Sequence, residues 1–176
     1  MKDLLSQVHV RPVVEKDLPD LEWEGEYIHF RRLYAEIYTN VRKGLGKMWV
    51  AELINAGIIG QAFVSLNGGR PELSDGNNRA YVYGFRVKTQ YRKNGVGSLL
   101  MDVLETDLAQ GGFRTVTLNV GKQNMDALRL YTRLGYQIVG SEPGSWAYID
   151  HLGKQQSVYE PAWRMEKQLD IDNQKT

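Results

Sequence analysis

Residues 90–100 read Gln90-Tyr91-Arg92-Lys93-Asn94-Gly95-Val96-Gly97-Ser98-Leu99-Leu100. Cations and glycines stand directly before an apolar run. Beyond them Val96, Leu99, Leu100, Val103, Leu104 and Leu108 recur at i, i+3, i+4 and i+7, one apolar stripe along a helix that Gly111-Gly112 stops. Ahead of them Ala80 to Val87 reads as a strand, and Gly84 inside it signals a bulge or a close main-chain approach. After the helix, Thr115-Val116-Thr117-Leu118-Asn119-Val120 is a β-branched strand. Strand, helix and strand in that order imply a parallel crossover.

The helix start has a chemistry of its own. Its first amides lack partners within the helix, and the helix dipole puts partial positive charge there. Gly95 and Gly97 place no Cβ between the main chain and a ligand, while Arg92 and Lys93 add full charges. This is the composition of a phosphate or pyrophosphate cradle. It is equally the composition of a tight turn with solvated cations, and the segment alone does not separate the two. It is not a Walker loop, since no Lys-Ser/Thr pair follows the second glycine, and it lacks the three-glycine dinucleotide fingerprint.

Working outward, Val8 to Val13 reads as a first strand. Asp17 is placed to cap a helical region that runs from Leu18-Pro19 to Lys43 as one helix or two, ending at Gly44. Met48–Ile54 and Ile58–Leu66 form a hairpin about the turn Asn55-Ala56-Gly57. Residues 67–78 are a loop rich in Gly, Asn, Asp and Pro. Asn124 caps a short helix, Met125 to Leu134, that Gly135 stops. Tyr136 to Gly140 is a strand. The remainder, with Trp146, Tyr148, Val158 and Trp163, reads as one more hairpin broken around 151–156. The hairpins supply antiparallel pairs and the crossover a parallel one, so the sheet is mixed, with helices against it.

The bulk properties bound the function. A chain of 176 residues reads as one domain over 1–170, followed by a polar tail at 171–176. Net charge is +1, without the basic excess of a general nucleic-acid binder. No run of about 18 apolar residues is present, so no membrane partner is expected. Cysteine is absent, which removes thiolate zinc sites and cysteine nucleophiles and fits a cytoplasmic location. The three histidines, His9, His29 and His151, form no metal-ligand pattern, so no metal is assigned.

Arg92-x-x-Gly95-x-Gly97 after a strand resembles the acyl-CoA signature of the GNAT superfamily, the acetyl-CoA-dependent N-acetyltransferases. Asn124-x-x-Ala127-x-x-Leu130-Tyr131-x-x-x-Gly135-Tyr136 resembles the second motif of that family, in the expected order. The resemblance is strongest over 81–136. It implies an α/β (α+β) fold: a mostly antiparallel central sheet with one parallel pair whose strands splay apart, and helices on both faces. It implies acetyl-CoA as co-substrate. Main-chain groups of Phe85, Arg86 and Val87 would hold pantetheine, and Arg92, Lys93, Asn94, Gly95, Val96, Gly97 and Ser98 would hold the diphosphate. Asn119, Asn124 and Ala127 would line the cofactor. Asn124 is also explained by capping alone, and Asn119 as a polar residue at a strand end.

The family further implies direct attack by a primary amine in a ternary complex. The acceptor is a small molecule, a peptide or protein N-terminus, or a lysine, and a homodimer stays open. Tyr131 is the implied general acid, protonating the CoA sulfur as it leaves; on spacing alone it reads as a core aromatic. The carboxylate that relatives carry near position 83 is missing. Glu52, Glu142, Asp150 or a chain of waters remain for the base. That gap motivates an alternative, a non-catalytic acyl-CoA sensor on the same fold. Arg86 either binds substrate or points to solvent. Glu22, Glu24 and Glu26 either attract a cationic amine or form a solvated helix start.

Overall fold

Period-2 alternation sorts side chains to the two faces of a sheet, and this sorting builds the molecule. The computed structural model describes residues 3–170; the tail read at 171–176 lies outside them. Strands β1 (Val8–Pro12), β2 (Gly46–Leu53), β3 (Gly57–Ser65) and β4 (Arg79–Val87) pair antiparallel in chain order. Helix α2 (Val96–Gln110) then crosses over to β5 (Thr115–Gly121), which pairs parallel with β4. Along β2, Trp49 and Ala51 pack with Leu100, Met101 and Leu104 of α2. Met48 and Val50 face the other way, onto Phe30 and the Tyr34 and Ile37 of α1 (Arg31–Arg42). Two cores result, one on each side of a single sheet.

The C-terminal part completes the sheet. Helix α3 (Met125–Arg133) leads into β6 (Gln137–Glu142). Strands β7 (Ser145–Ile149) and β8 (Gln155–Tyr159) form a separate two-stranded hairpin, and β9 (Ala162–Gln168) inserts between β5 and β6. The main sheet has the order β1-β2-β3-β4-β5-β9-β6. Here the structure departs from the sequence reading, which left Trp163 in the last hairpin. Pro161 lacks the N–H a ladder needs, so the chain leaves the hairpin at Glu160-Pro161, and Trp163 enters the main sheet opposite Val120.

The helical region is also divided differently. Residues Glu15–Glu22 and Ile28–Phe30 are 3-10 turns, and only 31–42 is α-helix. Asp17 does not cap a helix at Leu18; it folds back to accept from the Val14 amide at 2.8 Å and receives both Arg11 Nη1 and Nη2 at 2.8 and 2.9 Å. Arg11 Nε also reaches Glu52 at 2.7 Å. This half-buried clasp ties β1 to the following turn. The Arg11 guanidinium and the Val14 amide hold the Asp17 carboxyl below its ordinary value of 3.8. A depressed folded-state value means stabilisation that is present above about pH 4 and lost as pH falls through the lower, folded value. Asp17→Asn is therefore expected to destabilise by about 1.5–3 kcal/mol at pH 7 in urea unfolding. The two proteins should converge as the pH drops below the ordinary carboxylate range.

Two features of β4 position the site. Its pairing with β5 runs only from Arg79↔Thr115 to Val82↔Leu118, although β4 continues to Val87 and β5 to Gly121. The ends of the two strands part. On its other edge β4 pairs with β3 as Phe63↔Tyr83 and Gln61↔Arg86, so two residues of β4 oppose one of β3. This is a β-bulge at Gly84, whose φ is +61°. A Cβ there would stand 2.6 Å from Phe63 Cδ2. Gln61, fully buried, donates Nε2 to the Gly84 carbonyl at 3.1 Å. The extra residue reverses the alternation. Tyr81, Tyr83 and Arg86 come to the α1 side, whereas Val82, Phe85 and Val87 come to the α2 side.

Candidate active site

A cleft of about 910 Å³ opens where β4 and β5 part. One wall is the β4 end, with Tyr83, Gly84, Phe85, Arg86 and Val87; the other is the β5 end, with Asn119, Val120 and Gly121. The floor is the start of α2, with Arg92, Lys93, Gly95, Gly97 and Ser98, and the far side is α3, with Asn124, Ala127 and Tyr131. The structure thus gathers most of the sequence-assigned residues about one cavity.

Val96 and Asn94 do not line it. Val96 is buried in the apolar core, and the Asn94 amide donates to the Arg92 carbonyl at 2.8 Å, shaping the turn. The glycines serve differently from the sequence argument. Gly95 has φ +86°, and a Cβ there would lie 2.9 Å from Leu5 Cδ1. At Gly97 a Cβ would meet the Phe85 ring at 3.0 Å and Leu130 at 3.3 Å. Gly95 is required by its left-handed backbone and Gly97 by its close approach to Phe85 and Leu130. Gly97 lets the Phe85 ring approach the start of α2 closely.

Arg92 is anchored: its Nε donates to the Val87 carbonyl at 2.8 Å, which holds the turn against the strand end. Its remaining N–H groups and the exposed Lys93 ammonium stay at the cleft mouth. Arg129 and Arg133, one turn apart on α3, also line the cleft. The sequence reading missed them, although their i, i+4 spacing beside the second motif was a usable signal. The mouth is therefore more cationic than the opening motif implied.

Tyr131 is buried, its ring edge-on to Phe85 at 5.7 Å and to Tyr136 at 5.8 Å. Ala127, one turn earlier on α3, leaves room above it. Burial pushes the Tyr131 hydroxyl well above its ordinary range, so it is a phenol, not a phenolate, at neutral pH. Tyr83 is likewise pushed up by burial, to about 12. On β5, the Asn119 amide nitrogen is 3.4 Å from the Tyr81 hydroxyl, while its buried carbonyl oxygen has no partner.

The carboxylates proposed from sequence as a base are otherwise engaged. Glu52 pairs with Arg11, and Glu142 with Arg70 and Arg164. Asp150 accepts from the Leu152 and Lys154 amides and from Gln156, closing the β7–β8 turn. Of the acidic cluster, Glu22 pairs with Arg31 and Glu24 with Lys88, and none of Glu22, Glu24 and Glu26 lines the cleft. Asp126 and Glu160 are the carboxylates at its edge, and both are exposed.

The fold is shared with known structures. Ard1 from Thermoplasma volcanium superposes with a TM-score of 0.71 at 18% identity, over 93% of this chain and 99% of that one. Arabidopsis thaliana NAA60 in complex with acetyl-CoA superposes at 0.68 and 20% identity, over 92% and 98%. The ribosomal-protein-S18-alanine N-acetyltransferase from Escherichia coli does so at 0.68 and 17%, over 96% and 98%. No curated protein matches the sequence. The profile of the Acetyltransferase (GNAT) family matches residues 14–136, well over half of the chain and including every residue that walls the cleft from Tyr27 to Arg133. By that match, and by the parted strands that the fold turns into a cleft, the chain belongs to the GNAT family of acetyltransferases.

Proposed function

We propose that the protein transfers the acetyl group of acetyl-CoA to a primary amine by direct attack in a ternary complex. The observation that carries this reading is the parting of β4 and β5 beyond Val82 and Leu118, which opens a cleft between main-chain groups freed from the ladder and the exposed amides of α2. A chain with its own amides, such as pantetheine, replaces the missing strand partner. The orphaned Asn119 oxygen, buried in the same wall, is an acceptor suited to an amide N–H. The α2 amides, Arg92 and Lys93 supply the complement to a diphosphate, with Arg129 and Arg133 extending it.

When bound, acetyl-CoA supplies an activated thioester. The chain's own groups orient it and manage the protons. The amine nitrogen forms the C–N bond as the C–S bond breaks, and the Tyr131 hydroxyl gives its proton to the departing sulfur. Because the carboxylates named from sequence are tied up elsewhere, the proton of the amine passes to water in the open cleft. The absence of cysteine and the use of acetyl-CoA fit work in the cytoplasm.

The cofactor assignment is tested by isothermal titration. Arg92→Ala with Lys93→Ala should weaken acetyl-CoA binding about 10- to 100-fold, the size of one or two charge-assisted bonds to phosphate. Unchanged affinity in the double variant would remove the diphosphate from this end of the cleft. The reaction is tested by following thiol release from acetyl-CoA against a panel of amines and peptides. Tight cofactor binding with no turnover of any of them would favour an acyl-CoA sensor.

A further inference from the structure

We propose that the acceptor amine carries a carboxylate, and that the Arg86 guanidinium receives it. The inference rests on the acetyltransferase reading above and names the substrate class of the same cleft. The bulge at Gly84 turns Arg86 away from Phe85 and Tyr131, onto the α1 face of the sheet, where it lines the cleft beside Tyr27 and Tyr83. There the guanidinium lies 4.0 Å over the Tyr27 ring and 5.2 Å from that of Phe30. It donates Nη1 to the Tyr34 hydroxyl at 2.7 Å. The rings and this bond fix its plane without using most of its donors.

What marks Arg86 is the partner it lacks. Most other half-buried cations of this protein meet a carboxylate: Arg11 meets Asp17, Lys47 Asp107, Arg79 Glu166, Lys88 Glu24, Arg164 Glu142 and Lys167 Glu105, whereas Arg114, which has none, lies outside the cleft. Among the described residues, none lies within ion-pair distance of Arg86. A guanidinium drawn partly out of water, held flat and left without a counter-charge, is arranged for an anion that arrives with the substrate. Its planar fork matches a carboxylate, which takes two parallel N–H bonds. The acidic cluster of residues 22–26 stays outside the cleft, with Glu22 paired to Arg31 and Glu24 to Lys88, so it does not offset the charge of Arg86. The acceptor class is accordingly an amine with a nearby carboxylate, as in an amino acid.

The test compares matched acceptors: amino acids, the same molecules as carboxamides, and the same amines without the carboxyl group. Free ω-amino acids and peptides with a distant C-terminus show whether the carboxylate must be near the amine. Wild type, Arg86→Met and Arg86→Lys are assayed by thiol release, with acetyl-CoA affinity measured separately by titration. Wild type is expected to favour the carboxylate by about 10- to 100-fold in kcat/KM, the weight of bonds to a charged group. Arg86→Met should abolish this preference and Arg86→Lys should keep part of it. The readout is the ratio of carboxylate to neutral acceptor within each variant, and measurable acetyl-CoA binding reports that the variants are folded. Equal or better use of the carboxamides by wild type overturns the inference, as does an undiminished preference in Arg86→Met. Acetyl-CoA binding with no turnover of any carboxylate-bearing amine overturns it while leaving the cofactor site standing. Failure to bind acetyl-CoA overturns both readings.

Discussion

Tyr131→Phe is expected to lower kcat by about 10²- to 10⁴-fold, the range for loss of a positioned general acid, with acetyl-CoA affinity unchanged. The ring stays: Phe fills the same space against Phe85 and Tyr136, so packing is kept and only the hydroxyl goes. A second measurement separates an acid from a structural phenol. Burial raises the Tyr131 pKa, so its proton is retained well past neutrality. The wild-type rate should rise with pH as the acceptor amine becomes neutral and show no falling limb below about pH 10, the ordinary tyrosine value. In the variant the same rising limb should persist at a much lower height. A falling limb near neutrality would mean that some other group donates the proton. A variant as fast as wild type would remove Tyr131 from the chemistry.

Gly84→Val should damage both the fold and the site. A β-branched residue at φ +61° meets roughly 1–2 kcal/mol of backbone strain. Its Cβ would also lie 2.6 Å from the Phe63 ring, an overpacking of typically about 1–3 kcal/mol. Together these give about 2–5 kcal/mol, which for a chain of this size lowers Tm by very roughly 5–20 °C. Activity should fall further than stability explains, because the bulge sets which side chains of β4 face which way. Relieving the strain by straightening the strand would carry Arg86 and Phe85 to each other's sides. Phe63→Ala in the same chain should recover part of the stability by making room for the added Cβ, and no recovery would show that backbone strain dominates.

Local periodicity made much of this legible. The α2 stripe, the β2–β3 hairpin, the Asn124 cap and the Gly84 bulge were each readable, because each is written in neighbouring residues. The parallel β4–β5 crossover followed from element order alone. What escaped reading was decided by partners distant in the chain. Asp17 looks like a helix cap until Arg11 and Val14 are seen to occupy its oxygens. Residues 162–168 look like the arm of a hairpin until β5 and β6 claim them from both edges. Glu52, Glu142 and Asp150 look like candidate bases until their cations and amides are located. The aromatic seat of Arg86 draws on Tyr27, Phe30 and Tyr34, more than 50 residues away, and no local pattern announces it.

The β7–β8 hairpin belongs to neither edge of the main sheet. Its turn is closed by Asp150, and it meets the α1 side through Phe30, the ring beneath Arg86, on which Trp146 stacks and against which Tyr148 stands edge-on. A ladder that stands alone can be rewritten without rewriting its neighbours. Exchanging or resizing this hairpin would therefore change what reaches Arg86 while leaving the cleft between β4 and β5 as it stands.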